Sequence, residues 1–344
     1  MLMAKKFQFG LALRTQYPME ADITQKFEDL LEVVRLSDEL GYDSLTKTSH
    51  YSTAPYQAFQ QFPILARLSA EAPNMRLNAG IILLSLQKPL DIAEQLATID
   101  VMCGGKLIVG AALGYREVEL KAFGTNRSER ARRFEENLIA IKRLWTEEAV
   151  DMCGSHFELD GATCLPKPLQ NPYPPIWIGA NADPAIERAA RMGDCWYINP
   201  HSEISTIVRQ MEIYKKALDA AGKPFPDELP MRREVFVAPS KAEALRLCGP
   251  YLAGKYENYI DWGQSDELPD DDSKFDQAFD DLIGDRFLLG SPDEVAEQII
   301  DLHRKVGTNH LIMSMDWAGM PQEVTLDCMR LFAAEVAPKV RNGL

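Results

Sequence analysis

The chain lacks paired cysteines and any excess of positive charge. Its six cysteines, at positions 103, 153, 164, 195, 248 and 328, include no CxxC pair and no spacing typical of metal ligands. We therefore predict reduced thiols rather than a disulfide framework or a zinc site. Lysine and arginine number 37 against 51 aspartates and glutamates, which gives a formal net charge of -14. This balance argues against nucleic acid and anionic membrane surfaces as partners, because binding to phosphates needs concentrated positive charge.

Long hydrophobic runs are also missing. No apolar stretch approaches the roughly 20 residues that a membrane-spanning helix needs. The N-terminal segment MLMAKKFQFGLAL lacks a signal-peptide cleavage site and is interrupted by Gln8. We therefore predict a first strand there, in a soluble and cytoplasmic protein.

Several catalytic motifs are absent as well. The sequence contains no GxSxG nucleophile elbow, no HExxH and no P-loop, and no GxGxxG fingerprint follows its first predicted strand. Hydrolytic and metal chemistry thus lack visible machinery, and we predict no metal site. A cofactor that carries its own reactivity explains this pattern, since the protein then needs only to bind and orient it.

Strand-like and helix-like patterns alternate along the whole chain. The predicted strands are Phe7–Leu13, Tyr42–Thr48, Arg76–Leu84, Lys106–Ala112, Ile176–Ile178, Cys195–Ile198, Arg232–Ala238 and His310–Met315. A helical pattern follows each strand, directly or after a loop. This arrangement favours a closed parallel (β/α)8 TIM barrel over an open doubly wound sheet, whose phosphate fingerprint is missing.

Two stretches interrupt the alternation. Glu147–Pro175 is interpreted as a hairpin and an extended crossing. Gly263–Asp285, which follows the seventh strand and its helix, is acidic, and we predict a mobile insertion there. A solvated loop is the ordinary interpretation of such a charge run, and a functional lid is the alternative. We expect one domain over residues 1–344.

Candidate functional residues lie where strands end, because the loops after the strands of such barrels meet at one face. His50 follows the second strand, and an imidazole can transfer a proton near neutral pH. Gly179–Asp183 follows the fifth strand, and Pro184 opens a helix whose free amides could hold a phosphate. An ordinary helix cap is the alternative for this turn. The small residues of Gly110–Gly114 would allow close approach to a ligand, or would simply fill the barrel.

Five segments together resemble the bacterial luciferase-like family of flavin-dependent oxidoreductases, the luciferase-like monooxygenases. They are Glu39–Leu45 leading to His50, Cys103–Gly110, Gly114–Gly124, Pro174–Asn181 and Gly290–Ala296. The resemblance implies a (β/α)8 barrel with an insertion after the seventh strand. It also implies the use of reduced FMN with oxygen, although some relatives use a 5-deazaflavin coenzyme and only transfer hydride.

The resemblance assigns roles to individual residues. His50 matches the family's active-site histidine. Gly80 and Ile81 fall where relatives carry a non-prolyl cis peptide against the flavin ring. Ala180 and Asn181 match the turn that contacts the cofactor phosphate, and Gly179 before them is a further candidate for cofactor binding.

Two positions depart from the family pattern. Leu113 stands where luciferase places an arginine for the phosphate, so Arg116 or Tyr115 is expected to take that place, and Gly114 is a further candidate for cofactor binding. Ser49 stands where an acidic residue usually precedes the histidine. His50 is therefore expected to act in binding more than in acid–base catalysis.

The leading hypothesis is a monooxygenase that oxidises a small organic substrate with reduced FMN. A separate flavin reductase would supply the reduced FMN, since no nicotinamide-binding fingerprint is present, and relatives suggest a homodimer. Arg14, Tyr51, Tyr56, Trp196 and Trp317 are candidates for the substrate entrance, with packing as the alternative for the tryptophans. A deazaflavin-dependent reductase and a catalytically silent flavin-binding relative are the alternative functions.

Overall fold

A parallel β-sheet forms the centre of the molecule. The computed structural model describes residues 6–14, 16–262, 268–269 and 286–344. The strands of its main sheet are, in chain order, β1 (Gln8–Ala12), β2 (Ser44–Lys47), β3 (Arg76–Leu83), β4 (Leu107–Ala112), β5 (Ile176–Gly179), β6 (Cys195–Tyr197), β7 (Pro230–Val237), β8 (Phe287–Gly290) and β9 (His310–Ser314).

The sheet closes into a barrel. The strand order is β6-β5-β4-β3-β2-β1-β9-β7-β8, with parallel pairing throughout. Ile198, directly after β6, forms a parallel bridge to Met231 of β7. Its N–H donates to Pro230 O at 3.0 Å, and its carbonyl accepts from Arg232 N at 3.0 Å. These contacts join the two sides of the sheet and confirm the predicted barrel, in which β9 is the predicted eighth strand.

One strand of the sheet was not predicted. β8 pairs with the second half of β7, from Glu234 opposite Phe287 to Val237 opposite Gly290. Its sequence is a four-residue apolar run, which is too short to show a strand period. The extra strand brings the chain back to the barrel before the next helix.

Helices pack on one another around the sheet. They are α1 (Ile23–Glu39), α2 (Gln61–Glu71), α3 (Pro89–Met102), α4 (Glu117–Ala122), α5 (Arg130–Thr146), α6 (Asp183–Met192), α7 (Ile204–Ala220), α8 (Lys241–Asp261), α9 (Pro292–Val306), α10 (Gln322–Leu331) and α11 (Ala337–Gly343), with a 3-10 turn at Leu84–Leu86 and a π-helical turn at Phe332–Val336. Ser291 and Glu294 form a capping box at the start of α9. No helix in the described part of the chain is long and apolar enough to cross a membrane.

Only one of the two stretches that interrupt the predicted alternation, Glu147–Pro175, lies within the described residues. Val150–Cys153 and Glu158–Ala162 pair antiparallel, which confirms the predicted hairpin. The predicted insertion Gly263–Asp285 lies outside the described residues, apart from Leu268 and Pro269.

A polar cluster fills the amino-terminal end of the barrel. His310 is fully buried, with Nε2 2.8 Å from Ser44 Oγ and Nδ1 2.8 Å from a Glu228 carboxylate oxygen. Arg76 forms an ion pair with the same carboxylate. Burial alone would raise the pKa of Glu228, but hydrogen bonds and charge from His310 and Arg76 lower it to about 2. The cluster closes this end, and the opposite end remains open for ligands.

Candidate active site

A cavity of about 250 Å³ opens at the carboxyl ends of the strands. Its walls come from the ends of β2 to β6, from Arg232 of β7, and from Gln16, Arg130, Ala185 and Trp262. This is the end of a parallel barrel where the loops converge. Eight of the nine predicted site residues line it: His50, Gly80, Ile81, Gly114, Tyr115, Gly179, Ala180 and Asn181.

The floor of the cavity is apolar and closely built. The Gly80–Ile81 peptide is cis, and it lies where the pairing register of β3 and β4 shifts. A Cβ atom on Gly80 would lie 2.5 Å from Asn78 Nδ2, and one on Gly179 would lie 3.1 Å from Ile81 Cδ1. Ala112 completes this surface. Glycine at position 179 leaves room beside Ile81 for a flat ligand to approach the backbone, whereas a Cβ atom at position 80 would clash with the buried Asn78 side chain.

His50 is held by a buried carboxylate. Its Nδ1 lies 3.0 Å from Oε1 of Glu119, which is only 1% exposed. The same oxygen accepts the Tyr51 N–H at 2.8 Å. Because an ionised carboxylate only accepts hydrogen bonds, Nδ1 carries a hydrogen and Nε2 is the nitrogen available for chemistry. Nε2 has no hydrogen-bond partner among the described residues.

Aromatic rings fix the His50 imidazole from two further directions. Trp262 and Tyr115 both contact it edge to face, with ring centroids 5.4 and 6.0 Å away. The Arg116 guanidinium lies 4.1 Å from the Trp262 ring centroid. These contacts leave the imidazole little freedom to rotate.

Arg116 itself is not in the wall of the cavity. Its guanidinium donates to Tyr51 O at 2.7 Å and to Ser52 O at 3.0 Å, and lies 3.4 Å from Glu119. The structure therefore places it beneath the His50 loop, outside the wall of the cavity. Its effect on the site is to position Glu119 and Trp262.

The cavity also has features that suit an anion. Arg130, the first residue of α5, lines the cavity and donates from Nη1 to Gly114 O at 2.9 Å. The turn Ala180–Ala182 leads into α6, and no side chain caps the first amides of that helix. The Asp183 carboxylate is bound by Arg209 at 2.7 and 3.0 Å, which neutralises its charge. A cation and a helix start thus line the same cavity, and both are features of many phosphate sites.

A further part of the cavity wall contains His201 and Arg232. His201 follows β6 and is 6% exposed. Burial lowers the pKa of His201 well below its usual value, and the neighbouring cations Lys255, Arg232, Arg233 and Arg286 lower it further. His201 is therefore neutral near neutral pH, and Arg232 is the one of these cations that lines the cavity.

Sequence reasoning missed three residues of the site. Glu119 lies inside Gly114–Gly124, one of the segments that resemble the family. The available signal for it was an acidic residue next to Leu120, which is buried, on a short helix. The only signal for Arg130 was its position at the start of the helix that follows the fourth strand. Trp262 directly precedes the predicted insertion, and no pattern in the sequence connects it to His50.

The comparisons with known proteins agree with this geometry. The family model described as luciferase-like monooxygenase matches residues 7–309, so the chain belongs to that family. An FMNH(2)-dependent dimethylsulfone monooxygenase of Pseudomonas putida is 27% identical over 332 residues, covering 92% of this chain and 84% of the relative. An F420-dependent glucose-6-phosphate dehydrogenase of Amycolatopsis mediterranei is also 27% identical, over 91% of this chain and 94% of the relative.

A solved structure matches the fold closely. The crystal structure of a monooxygenase from Streptomyces bottropensis superimposes with a TM-score of 0.86 and 28% identity, covering 96% of this chain and 99% of that one. The family and the relatives' names make this chain an oxidoreductase of the flavin or deazaflavin class.

Proposed function

Starting from its membership of the luciferase-like monooxygenases, we propose that this protein is a monooxygenase that uses reduced FMN and oxygen to oxidise a small organic substrate. The observation that carries the proposal is one cavity whose wall combines an apolar floor, an imidazole held by a carboxylate, an arginine and the turn that starts α6. The relative that uses FMNH(2) and oxidises dimethylsulfone supports it.

The residues present fit FMN. Gly80, Ile81 and Ala112 would lie against the flavin ring, because all three line the apolar floor of the cavity. Arg130 and the Ala180–Asn181 turn would hold the phosphate. Arg130 would replace the phosphate-binding arginine that the family has at the position of Leu113. When bound, reduced FMN supplies the two electrons with which oxygen gives one atom to the substrate and one to water.

His50 would manage the proton in this reaction. With Nδ1–H donated to Glu119, Nε2 can accept a proton from, or donate one to, a group at the reacting edge. The aromatic rings of Trp262 and Tyr115 limit water around the imidazole. Glu119 would thereby provide the acidic group that is absent at Ser49. For this reason we propose an acid–base role for His50 in place of the binding role expected from the sequence.

Two further parts of the proposal concern partners. A separate flavin reductase would supply reduced FMN, and two copies of the chain would form a homodimer. A second candidate function, hydride transfer with a deazaflavin, is favoured by the similarity to the F420-dependent dehydrogenase.

The test is reconstitution with a flavin reductase, NADH and FMN, followed on an oxygen electrode with a panel of small organic substrates. We expect substrate-dependent oxygen uptake and one atom of labelled oxygen in the product. Oxygen uptake that no substrate alters, together with substrate-dependent reduction of the deazaflavin, would establish the second candidate instead.

A further inference from the structure

Trp196 is fully buried, although it was expected from the sequence to lie at the substrate entrance. Three of the other entrance candidates, Arg14, Tyr56 and Trp317, line a second cavity of about 110 Å³. The Trp196 indole instead donates from Nε1 to Ala180 O at 3.1 Å. Since Ala180 belongs to the turn that leads into α6 and lines the candidate active site, this tryptophan supports the wall of the site from behind.

Gln210 holds the next residue of the same turn. It lies on α7, the helix against which Trp196 packs through Tyr214. Gln210 is fully buried, and its Nε2 donates to Asn181 O at 2.6 Å and lies 3.3 Å from Asp183 Oδ1. Its Oε1 is also buried and has no hydrogen-bond partner in the part of the chain that the structure describes. A buried amide oxygen without a partner destabilises the fold, which indicates that this glutamine is kept for its hydrogen bonds to the turn.

These two hydrogen bonds fix the direction of two backbone amides. In a trans peptide the N–H points away from the carbonyl of the same unit, and both units of this turn are trans. With Ala180 O bound by Trp196 and Asn181 O bound by Gln210, the N–H groups of Asn181 and Ala182 point away from α7. Neither N–H has a hydrogen-bond partner among the described residues, and both residues line the cavity. Successive free amides at the start of a helix form a concavity that binds anions.

We propose that Trp196 and Gln210 are positioning residues for the cofactor phosphate. By holding two carbonyls on the α7 side of the turn, they present the N–H groups of Asn181 and Ala182 to a phosphate in the cavity. They thereby set the preference of the site for a flavin phosphate over the free flavin. The inference rests on the proposed function and adds two side chains that act from outside the cavity wall.

The experiment compares FMN with riboflavin, which has the same ring system without the phosphate. Flavin fluorescence is titrated with the wild type, Trp196→Phe, Gln210→Met and the double variant. Phenylalanine keeps an aromatic ring but removes the N–H, and methionine keeps the length of glutamine but removes the amide. We expect each single variant to lose about 3-fold in FMN affinity and the double variant about 10-fold, with riboflavin affinity unchanged.

Two matched controls remove similar hydrogen bonds elsewhere. Trp145→Phe removes an indole N–H that donates to Ala93 O at 3.0 Å, and Gln298→Met removes an amide that donates to Leu289 O at 3.1 Å. Both lie outside the walls of the two cavities, so FMN affinity should not change. Unchanged FMN affinity in the folded double variant would overturn the proposal. An equal loss for FMN and riboflavin would also overturn it, because the two side chains would then support the whole cavity and not the phosphate turn.

The deazaflavin coenzyme separates this proposal from the proposed function. It also carries a phosphate, so the same variants are titrated with it and with its phosphate-free flavin fragment. Binding of the deazaflavin coenzyme in place of FMN, with a loss confined to the phosphorylated form, would contradict the proposed function and support the positioning roles. FMN binding that the double variant leaves unchanged would contradict the positioning roles alone. Binding of neither coenzyme would contradict both.

Discussion

His50 Nδ1 lies 3.0 Å from Glu119 Oε1, across 69 positions of sequence. The pair joins the loop after β2 to the short helix α4 after β4 at the mouth of the barrel. A carboxylate in this position sets the tautomer and the orientation of an imidazole, and stabilises the imidazolium when it forms. Glu119 thus places next to His50 the acidic group that is absent at position 49 of the sequence.

Glu119→Gln tests this relationship. The amide oxygen can still accept from His50 Nδ1, but the negative charge is lost, so we expect kcat to fall about 10- to 100-fold with KM unchanged. His50→Ala should lose at least as much. In the His50→Ala background, the second substitution should cost nothing more, since the two residues act as a unit. The measurement is steady-state oxygen uptake with saturating reduced FMN.

The control for that experiment is Glu117→Gln, an exposed carboxylate on the same helix. It should leave kcat unchanged. If Glu119→Gln lowers turnover equally with and without His50, the carboxylate acts on the fold and not through the imidazole.

Arg130→Met tests the phosphate end of the site. Riboflavin lacks the phosphate, so we expect FMN affinity to fall about 10-fold or more while riboflavin affinity stays the same. Arg132→Met, which changes an exposed arginine two residues further along α5, is the matched control. Equal losses for FMN and riboflavin would show that Arg130 supports the floor and does not bind a phosphate.

Much of this site follows from sequence, and the part that does not has a physical reason. His50 and Gly179 were predictable because parallel strands bring their carboxyl ends to one face, whereas Gly80 was predicted only from the family resemblance. Glu119 was not, because its partner is set by tertiary packing of a six-residue helix. Arg116 was expected to bind the cofactor, whereas in the structure its guanidinium donates hydrogen bonds to the backbone carbonyls of Tyr51 and Ser52.

Lys47 lies at the end of β2, 2% exposed, and its Nζ donates only to Thr48 O at 3.2 Å among the described residues. Burial lowers its pKa to about 8. Since the unfolded chain binds this proton more readily, Lys47 destabilises the fold below about pH 8, and the penalty disappears as pH rises toward 10.5. Lys47→Met should therefore raise the free energy of unfolding at pH 7 by about 3 kcal/mol.

Urea unfolding at pH 7 and at pH 10 measures this effect. The gain should shrink at the higher pH, where the folded wild type is already neutral at this position. Lys216→Met, an exposed control on α7, should change stability by less than about 0.5 kcal/mol at either pH. A Lys47→Met variant less stable than the wild type at pH 7 would contradict the account.

Glu228 makes the opposite pH prediction. Its pKa of about 2 lies below the ordinary value of 4.5, so its contribution to stability is complete above about pH 4.5 and is lost as pH falls toward 2. Glu228→Gln should lower the free energy of unfolding at pH 7 by about 3 kcal/mol. The difference from the wild type should close in acid. A difference that is constant from pH 7 to pH 3 would show that the charge of Glu228 does not stabilise the barrel.

The central claim, that the cavity beside His50 binds reduced FMN, is tested most directly by anaerobic titration. The wild-type chain is titrated with reduced FMN and, in parallel, with the reduced deazaflavin coenzyme, with binding followed by protein fluorescence. The account predicts saturable binding of reduced FMN at one site per chain, weakened in Arg130→Met. Tight binding of the deazaflavin with none of reduced FMN would contradict it.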